Sequence, residues 1–123
     1  MPTHRREIGD EGERLAARWL EQRGFVVLAR NVQASHRETD LICRDGGVIV
    51  FVEVKSGKSD DYGHPVYRVT RKKRRALISA ARRWIAGQAA EATGYRFDVV
   101  SVITDTDPPT VEHIPAAFRA DDV

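Results

Sequence analysis

One cysteine in 123 residues excludes an internal disulfide framework. Cys43 shares a strand face with Thr39 and Leu41 and reads as a small buried hydrophobe rather than a reactive thiol. The four histidines and this cysteine show no zinc spacing. Neither a phosphate-cradling glycine loop nor a dinucleotide fingerprint occurs, which removes the commonest nucleotide-binding classes. No apolar run approaches the ~20 residues that cross a bilayer, and Met1 to Asp10 is polar, without the hydrophobic stretch of a secretory leader. The expectation is a cytoplasmic protein with no membrane partner. Internal repeats and low-complexity segments are missing as well. A further absence is regional: from Tyr62 to Ala90 there is no acidic residue.

That same span holds eight basic residues: Arg68, Arg71, Lys72, Lys73, Arg74, Arg75, Arg82 and Arg83. Thr70 is a plausible N-cap for a helix reaching about Gln88. On its wheel Leu77, Ala81, Trp84 and Ile85 gather on one side, with Arg71, Lys72, Arg75, Arg82 and Arg83 on much of the other. Solvated helix faces usually mix signs; a stripe of one sign suits a phosphate backbone and binds it without reading bases. Arg71, Lys72, Arg74, Arg75, Arg82 and Arg83 are therefore the candidate nucleic-acid contacts.

Length and composition, 41% apolar and 31% charged, fit a single domain over residues 1–123 with a core of about 9–104 and a C-terminal extension of 105–123. A first helix is expected from about Gly9 to Gln22, with Leu15, Trp19 and Leu20 as its apolar stripe and Gly24 as its left-handed cap. Trp19 and Trp84, each on an apolar helical stripe, are expected to pack in the core. Phe25 to Ala29 reads as a short strand, and Ser56 to Arg68, with Gly57, Gly63 and Pro65, as a mobile loop. Tyr95 to Thr104 is an apolar strand, parallel to its predecessor because a helix connects them. Thr110 to Ile114 adds an edge strand, and the last residues are expected to fray. The fold class is α/β: an αβββαβ core with a mixed central sheet flanked by helices.

The chemistry concentrates in the middle strands. Val48 to Val54 is rich in β-branched residues. Alternation puts Val48, Val50, Val52 and Val54 on one face and Ile49, Phe51, Glu53 and Lys55 on the other, which starts apolar and ends charged. Charges entering a buried sheet are costly unless paired or metal-bound. The strand before, Glu38 to Arg44, has Glu38, Asp40, Ile42 and Arg44 on one face, and Asp45-Gly46-Gly47 signals a hairpin. With Gly46-Gly47 as the loop, Asp40 falls opposite Glu53 and Glu38 opposite Lys55. With Asp45-Gly46 as the loop, Asp40 slides to Phe51, and both carboxylates still share a face. Like charges across a ladder repel, and a divalent cation removes that repulsion. Hard oxygen ligands suit Mg²⁺ or Mn²⁺, which activates a water against a phosphodiester while a nearby ammonium orients it. A lone Glu-x-Lys is more often a surface ion pair; Asp40 on the adjoining strand is what points to catalysis by Asp40, Glu53 and Lys55. Glu38 either pairs with Lys55 or caps the strand edge. His36, beside the acidic strand, is in position to touch substrate but reads first as an exposed loop histidine, and Asp98 reads as structural, paired with a basic group.

Several segments, in order, resemble the YraN-like family of small bacterial proteins, itself similar to a branch of the PD-(D/E)xK nuclease superfamily alongside archaeal Holliday junction resolvases. They are Gly12-Glu13 with Ala16-Ala17, Gly24-Phe25, Ala29-Arg30-Asn31, Glu38-Thr-Asp-Leu-Ile42, Phe51-Val-Glu-Val-Lys55, Val69-Thr70 with Lys72, and Arg96-Phe-Asp-Val-Val100, together covering residues 9 to 103. The resemblance implies a restriction-endonuclease-like core, Asp40 and Glu53 as metal ligands, and Lys55 as water-positioning base or electrostatic partner. It also implies Glu13 as the first-helix acid completing the metal site, and a homodimer acting on branched DNA. Two departures stand out. Arg37-Glu38-Thr39-Asp40 replaces the family's Gly-Glu-Ile-Asp, and Ser56-Gly57 replaces its Thr-Arg after the lysine, making Ser56 an accessory position in the substrate loop. The leading expectation is a Mg²⁺- or Mn²⁺-dependent endonuclease cutting DNA without a covalent intermediate. Its alternatives are a non-catalytic nucleic-acid-binding module of the same fold and a protein-interaction adaptor.

Overall fold

A computed structural model describes residues 4–34, 37–59, 69–88 and 92–120, with side chains for all of these except residues 4–10, 34, 37 and 38. In chain order the elements are α1 (His4–Glu21), β1 (Val26–Ala34), β2 (Arg37–Asp45), β3 (Val48–Gly57), α2 (Arg71–Ala86), β4 (Gly94–Ile103) and β5 (Thr110–Phe118). The strands lie side by side in that order. β3 and β4 run parallel across the α2 crossover, and the other neighbours are antiparallel. The mixed α/β sheet flanked by helices is as the sequence predicts.

Strand alternation builds two cores on the two faces. Against α1, Ala16, Ala17 and Leu20 pack on Leu41, Cys43, Val50, Val52, Val100 and Val102. Against α2, Leu77, Ile78 and Ala81 pack on Ile42, Ile49, Phe51, Phe97, Val99 and Phe118. The small residues of α1 let the helix axis approach the sheet closely, whereas the α2 side is filled by rings: Phe51 stacks on Phe97, and Phe97 on Phe118 with centroids 4.9 Å apart. Trp84 sits edge-on to Phe51, and Trp19 packs at the margin of the α1 core.

Several local expectations hold in detail. Thr70 Oγ1 accepts the Lys73 N–H at 3.2 Å and caps α2. Gly24, at φ +91°, turns the chain out of α1 in a conformation that a side chain would strain. Asp45 faces Val48, so Gly46-Gly47 is the hairpin loop. Other boundaries move. α1 begins at His4 rather than Gly9, and β1 extends to Ala34 with an irregularity between Val27 and Ala29. Ser56 and Gly57 do not start a loop; they continue β3 and pair with Val102 and Ile103. β5 runs to Phe118, four residues beyond the expected edge strand, and carries the C-terminal segment into the sheet. Arg68, His36, most of the expected 56–68 loop and the last three residues lie outside the described residues.

Candidate active site

The C-terminal half of β3 carries Glu53 and Lys55 out of the ring-filled core, on the face that α2 covers. Glu53 is 7% exposed, and burying a carboxylate that far requires compensation. Two ammonium groups supply it through one oxygen: Lys73 Nζ lies 2.6 Å from Glu53 Oε1, and Lys55 Nζ 3.3 Å from it. Lys73 comes from the first turn of α2. The Thr70 cap orients that turn above the sheet, so the side chain reaches down to β3.

Asp40 stands on the same face, two residues from Ile42 of the α2-side core. The backbone ladder between β2 and β3 ends at Leu41 and Val52. One step further, the Asp40 carboxylate takes a position normally filled by a backbone carbonyl: its Oδ2 accepts the Val54 N–H at 2.7 Å. Asp40 is thereby fixed next to Glu53, matching the Gly46-Gly47 register. Burial pushes its carboxyl up to about 8, and the Glu53 charge adds to the rise; the Val54 bond acts the other way and is outweighed. Glu13 on α1 contributes a smaller push in the same direction.

The two lysines diverge. Burial lowers the pKa of Lys55, and the adjacent Lys73 ammonium lowers it further. For Lys73 burial acts downward too, yet its bond to Glu53 prevails and raises its pKa. Side by side on one carboxylate, Lys73 is the firmer cation and Lys55 the one that gives up its proton more readily.

Gly12 fixes how α1 meets this corner. A β-carbon there would collide with Ser56 Oγ, so the helix backbone packs against the Ser56 side chain at the end of β3. Ser56 is half-buried beneath α1, next in sequence to Lys55. Glu38 occupies β2 opposite Gln33, and its side chain lies outside the described set.

Among the predicted nucleic-acid contacts, Arg71, Lys72, Arg75, Arg82 and Arg83 are exposed along α2. Arg74 is held differently: its Nε donates to the Val69 carbonyl at 2.8 Å, and its guanidinium lies over Phe118. The first turn of α2 contains no acid, although the helix dipole disfavours cations there. Sequence reasoning passed over Lys73, the basic residue that enters the site. The signal was available: a cation three residues after an N-cap threonine, where a capping glutamate usually stands, calls for an outside anion.

The Asp40–Glu53 pair fits a divalent cation chemically. Both are hard oxygen donors, and each uses one oxygen in the contacts above. The raised pKa of Asp40 comes first from burial and then from the Glu53 charge, and a cation shared by the two carboxylates would relieve both. Among the described residues, no three His, Cys, Asp or Glu groups come within reach of one common ion. The fit therefore rests on two carboxylates with Glu13 outside them, a number that Mg²⁺ tolerates because it retains several waters.

On the other face Asp98 has a different setting. It is fully buried and accepts from Arg96 Nε at 3.0 Å, Arg96 Nη2 at 3.1 Å, His113 Nε2 at 2.7 Å and the Ala116 N–H at 2.9 Å. Arg96 continues to Asp45 at 3.0 Å. Burial alone would raise the Asp98 carboxyl, but the His113 and Arg96 bonds outweigh it and hold the group below its ordinary value. The expected structural role with a basic partner is what the structure displays. Cys43 is buried beside it, its thiol pushed up to about 12 by burial and then by Asp98. No helix among the described residues is long and apolar enough to cross a membrane.

Residues 12–102 match the model of an uncharacterised protein family, UPF0102. A UPF0102 protein of Anaeromyxobacter dehalogenans is 47% identical over 117 residues, covering 95% of this chain and 87% of the relative. One from Geobacter metallireducens is 42% identical, with 97% of this chain and 98% of the relative covered. One from Beutenbergia cavernae is 46% identical, at 87% and 92% coverage. The family match takes in Glu13, Asp40, Glu53, Lys55 and Lys73 together, and the chain belongs to the UPF0102 (YraN-like) family.

Proposed function

We propose that the protein is a metal-dependent endonuclease of the PD-(D/E)xK type, hydrolysing DNA phosphodiester bonds. The observation that carries this reading is the convergence of Asp40, Glu53 and Lys55 beneath the basic, acid-free first turn of α2. Asp40 and Glu53 would hold Mg²⁺ or Mn²⁺, with Glu13 completing the acidic corner. When bound, the ion would lower the pKa of a water and offset charge on the scissile phosphate.

The chain's own groups divide the remaining work. The Asp40–Val54 bond keeps the carboxylate beside Glu53 through the cycle. Lys55, whose pKa is lowered by burial and by Lys73, orients the attacking water and is more easily freed of its own proton to act as a base than an ordinary lysine. Arg71, Lys72, Arg75, Arg82 and Arg83 draw the phosphate backbone toward α2 through counterion release, so binding depends on salt and little on sequence. Substrate choice would then follow DNA shape, which makes branched or damaged DNA the favoured class, engaged by a homodimer presenting two sites.

A second reading has its own support. With two ammonium groups on its carboxylate, Glu53 is already compensated. A non-catalytic nucleic-acid-binding module would carry such a site unchanged.

The deciding experiment is a cleavage time course on plasmid, flap, four-way-junction and single-stranded DNA with Mn²⁺, Mg²⁺ or EDTA, comparing wild type with Asp40→Asn. Metal-dependent cutting that the substitution abolishes supports the nuclease. Equal cutting by both proteins sinks it, and salt-sensitive binding by both without cutting transfers the assignment to the non-catalytic module.

A further inference from the structure

Lys73 is not part of the Asp/Glu-x-Lys constellation, yet it makes the shortest ionic contact in the site, 2.6 Å from Glu53 Oε1 against 3.3 Å for Lys55. Its backbone is pinned by the Thr70 cap in the first turn of α2, where the helix dipole opposes a positive charge. Arg71 and Lys72 beside it add to that opposition. The lysine is held there by an anion from another element, Glu53. Its side chain is 33% exposed and ends on a flexible four-carbon stem, so it can swing toward solvent without moving the helix.

A divalent cation on Asp40 and Glu53 would meet this ammonium directly. Mg²⁺ sits about 2 Å from its ligand oxygens, and an ammonium bonded to the same carboxylate competes with it for lone pairs and repels it. Lys55 has less room to leave: its side chain is 17% exposed against 33% for Lys73, and its backbone is part of β3 beside Glu53.

We propose that Lys73 is a displaceable counter-ion: it compensates Glu53 when no divalent cation is bound, leaves when one enters, and then meets the substrate phosphate with Arg71 and Lys72. This rests on the metal-dependent reading above and adds a residue and an order of events to it. Cation and nucleic acid become coupled, since the ion that expels Lys73 from Glu53 also releases a positive charge toward the incoming phosphate.

The test is Mn²⁺ binding to the full chain without nucleic acid, read from the paramagnetic resonance of free Mn²⁺ at one fixed pH and salt. Lys73→Met keeps the stem and removes the charge. It should bind Mn²⁺ about tenfold more tightly than wild type, melt lower than wild type in EDTA, and gain more than wild type from added Mn²⁺. Lys73→Arg, whose planar fork holds a carboxylate more firmly, should bind Mn²⁺ no better than wild type, and it supplies a second comparison if the methionine variant does not fold. Unchanged or weaker Mn²⁺ binding by folded Lys73→Met, or tighter binding by Lys73→Arg, overturns the proposal. Tighter binding by Lys73→Met in a protein that cuts no DNA upholds the displaced lysine and removes the nuclease reading. A wild type that cuts DNA, with Mn²⁺ affinity indifferent to residue 73, does the reverse.

Discussion

Asp40 lies on the α2 side of the sheet and Asp98 on the α1 side. Asp98 is the more deeply buried, yet its carboxyl is held below its ordinary value, while that of Asp40 is pushed up to about 8. The difference is partners. Asp98 accepts from a guanidinium, an imidazole and a backbone N–H; Asp40 has one backbone N–H and an acidic neighbour. The Asp98 network is saturated and ties β4 to β5 and, through Arg96, to the end of β2. The Asp40 side is short of positive charge at one point, while nearby α2 carries it in excess. Burial locates a charged group; what surrounds it decides whether it stabilises the fold or waits for a ligand.

The largest expected effect comes from breaking the saturated side. Asp98→Ala leaves Arg96 and His113 facing a buried gap and should cost about 3–5 kcal/mol in urea unfolding. Asp40→Asn should cost nothing and stabilise by up to about 1 kcal/mol, since the amide oxygen still accepts from Val54 and the repulsion with Glu53 is gone. If the two substitutions prove equally damaging, the contrast is wrong.

Activity should reverse the ranking. Asp40→Asn is expected to lower metal-dependent cleavage by about 100-fold or more in single-turnover assays. An Asp98 variant that remains folded at low temperature should retain most of its rate.

The pH dependence separates them next. Without divalent cation, the raised Asp40 pKa means that the folded state holds its proton more tightly than the unfolded chain does. Its contribution to stability is complete below the unfolded value near 4 and is lost as pH rises through about 8. The melting temperature of wild type should therefore fall across that window relative to Asp40→Asn, and Mn²⁺ should reduce the difference. Asp98 has the opposite sign: its contribution is present above the unfolded value near 4 and is lost as pH falls through its lower folded value. The gap between wild type and Asp98→Asn should close only in acid.

The smallest effects concern the two helices. Arg82→Gln and Arg83→Gln should each reduce the salt slope of DNA binding by about one, with no change in melting temperature. On the α1 side an open groove of about 530 Å³ also carries Arg14, Arg18 and Arg30. There Arg14 pairs with Glu11 and Arg30 with Glu21, so Arg14→Gln should leave the slope unchanged.

Much of this arrangement is legible in the chain. The β-branched run of β3, the Gly46-Gly47 hairpin and strand alternation together put Asp40 and Glu53 on one face. Thr70 marks the start of α2. Three features escape for physical reasons. Pro115 suggests that β5 stops at Ile114, but an edge strand tolerates a residue without an N–H, so β5 continues to Phe118. Polar Arg30-Asn31 suggests a loop after Ala29, whereas β1 is the other edge strand and stands half in solvent. Lys73 escapes because a helical wheel ranks residues by burial and carries no information on what lies beneath the first turn.

Gly12 has a consequence for how this corner can change over time. Because a β-carbon at residue 12 would run into the Ser56 side chain as it stands, glycine works here as a shim between the helix and the end of β3. Exchanging it for alanine alters no charge or ligand, yet it must turn the Ser56 hydroxyl aside or shift the helix that carries the next residue, Glu13. The reach of that acid toward Asp40 is set by a clearance, and a lineage could retune the site by thickness alone while every chemical group stays the same.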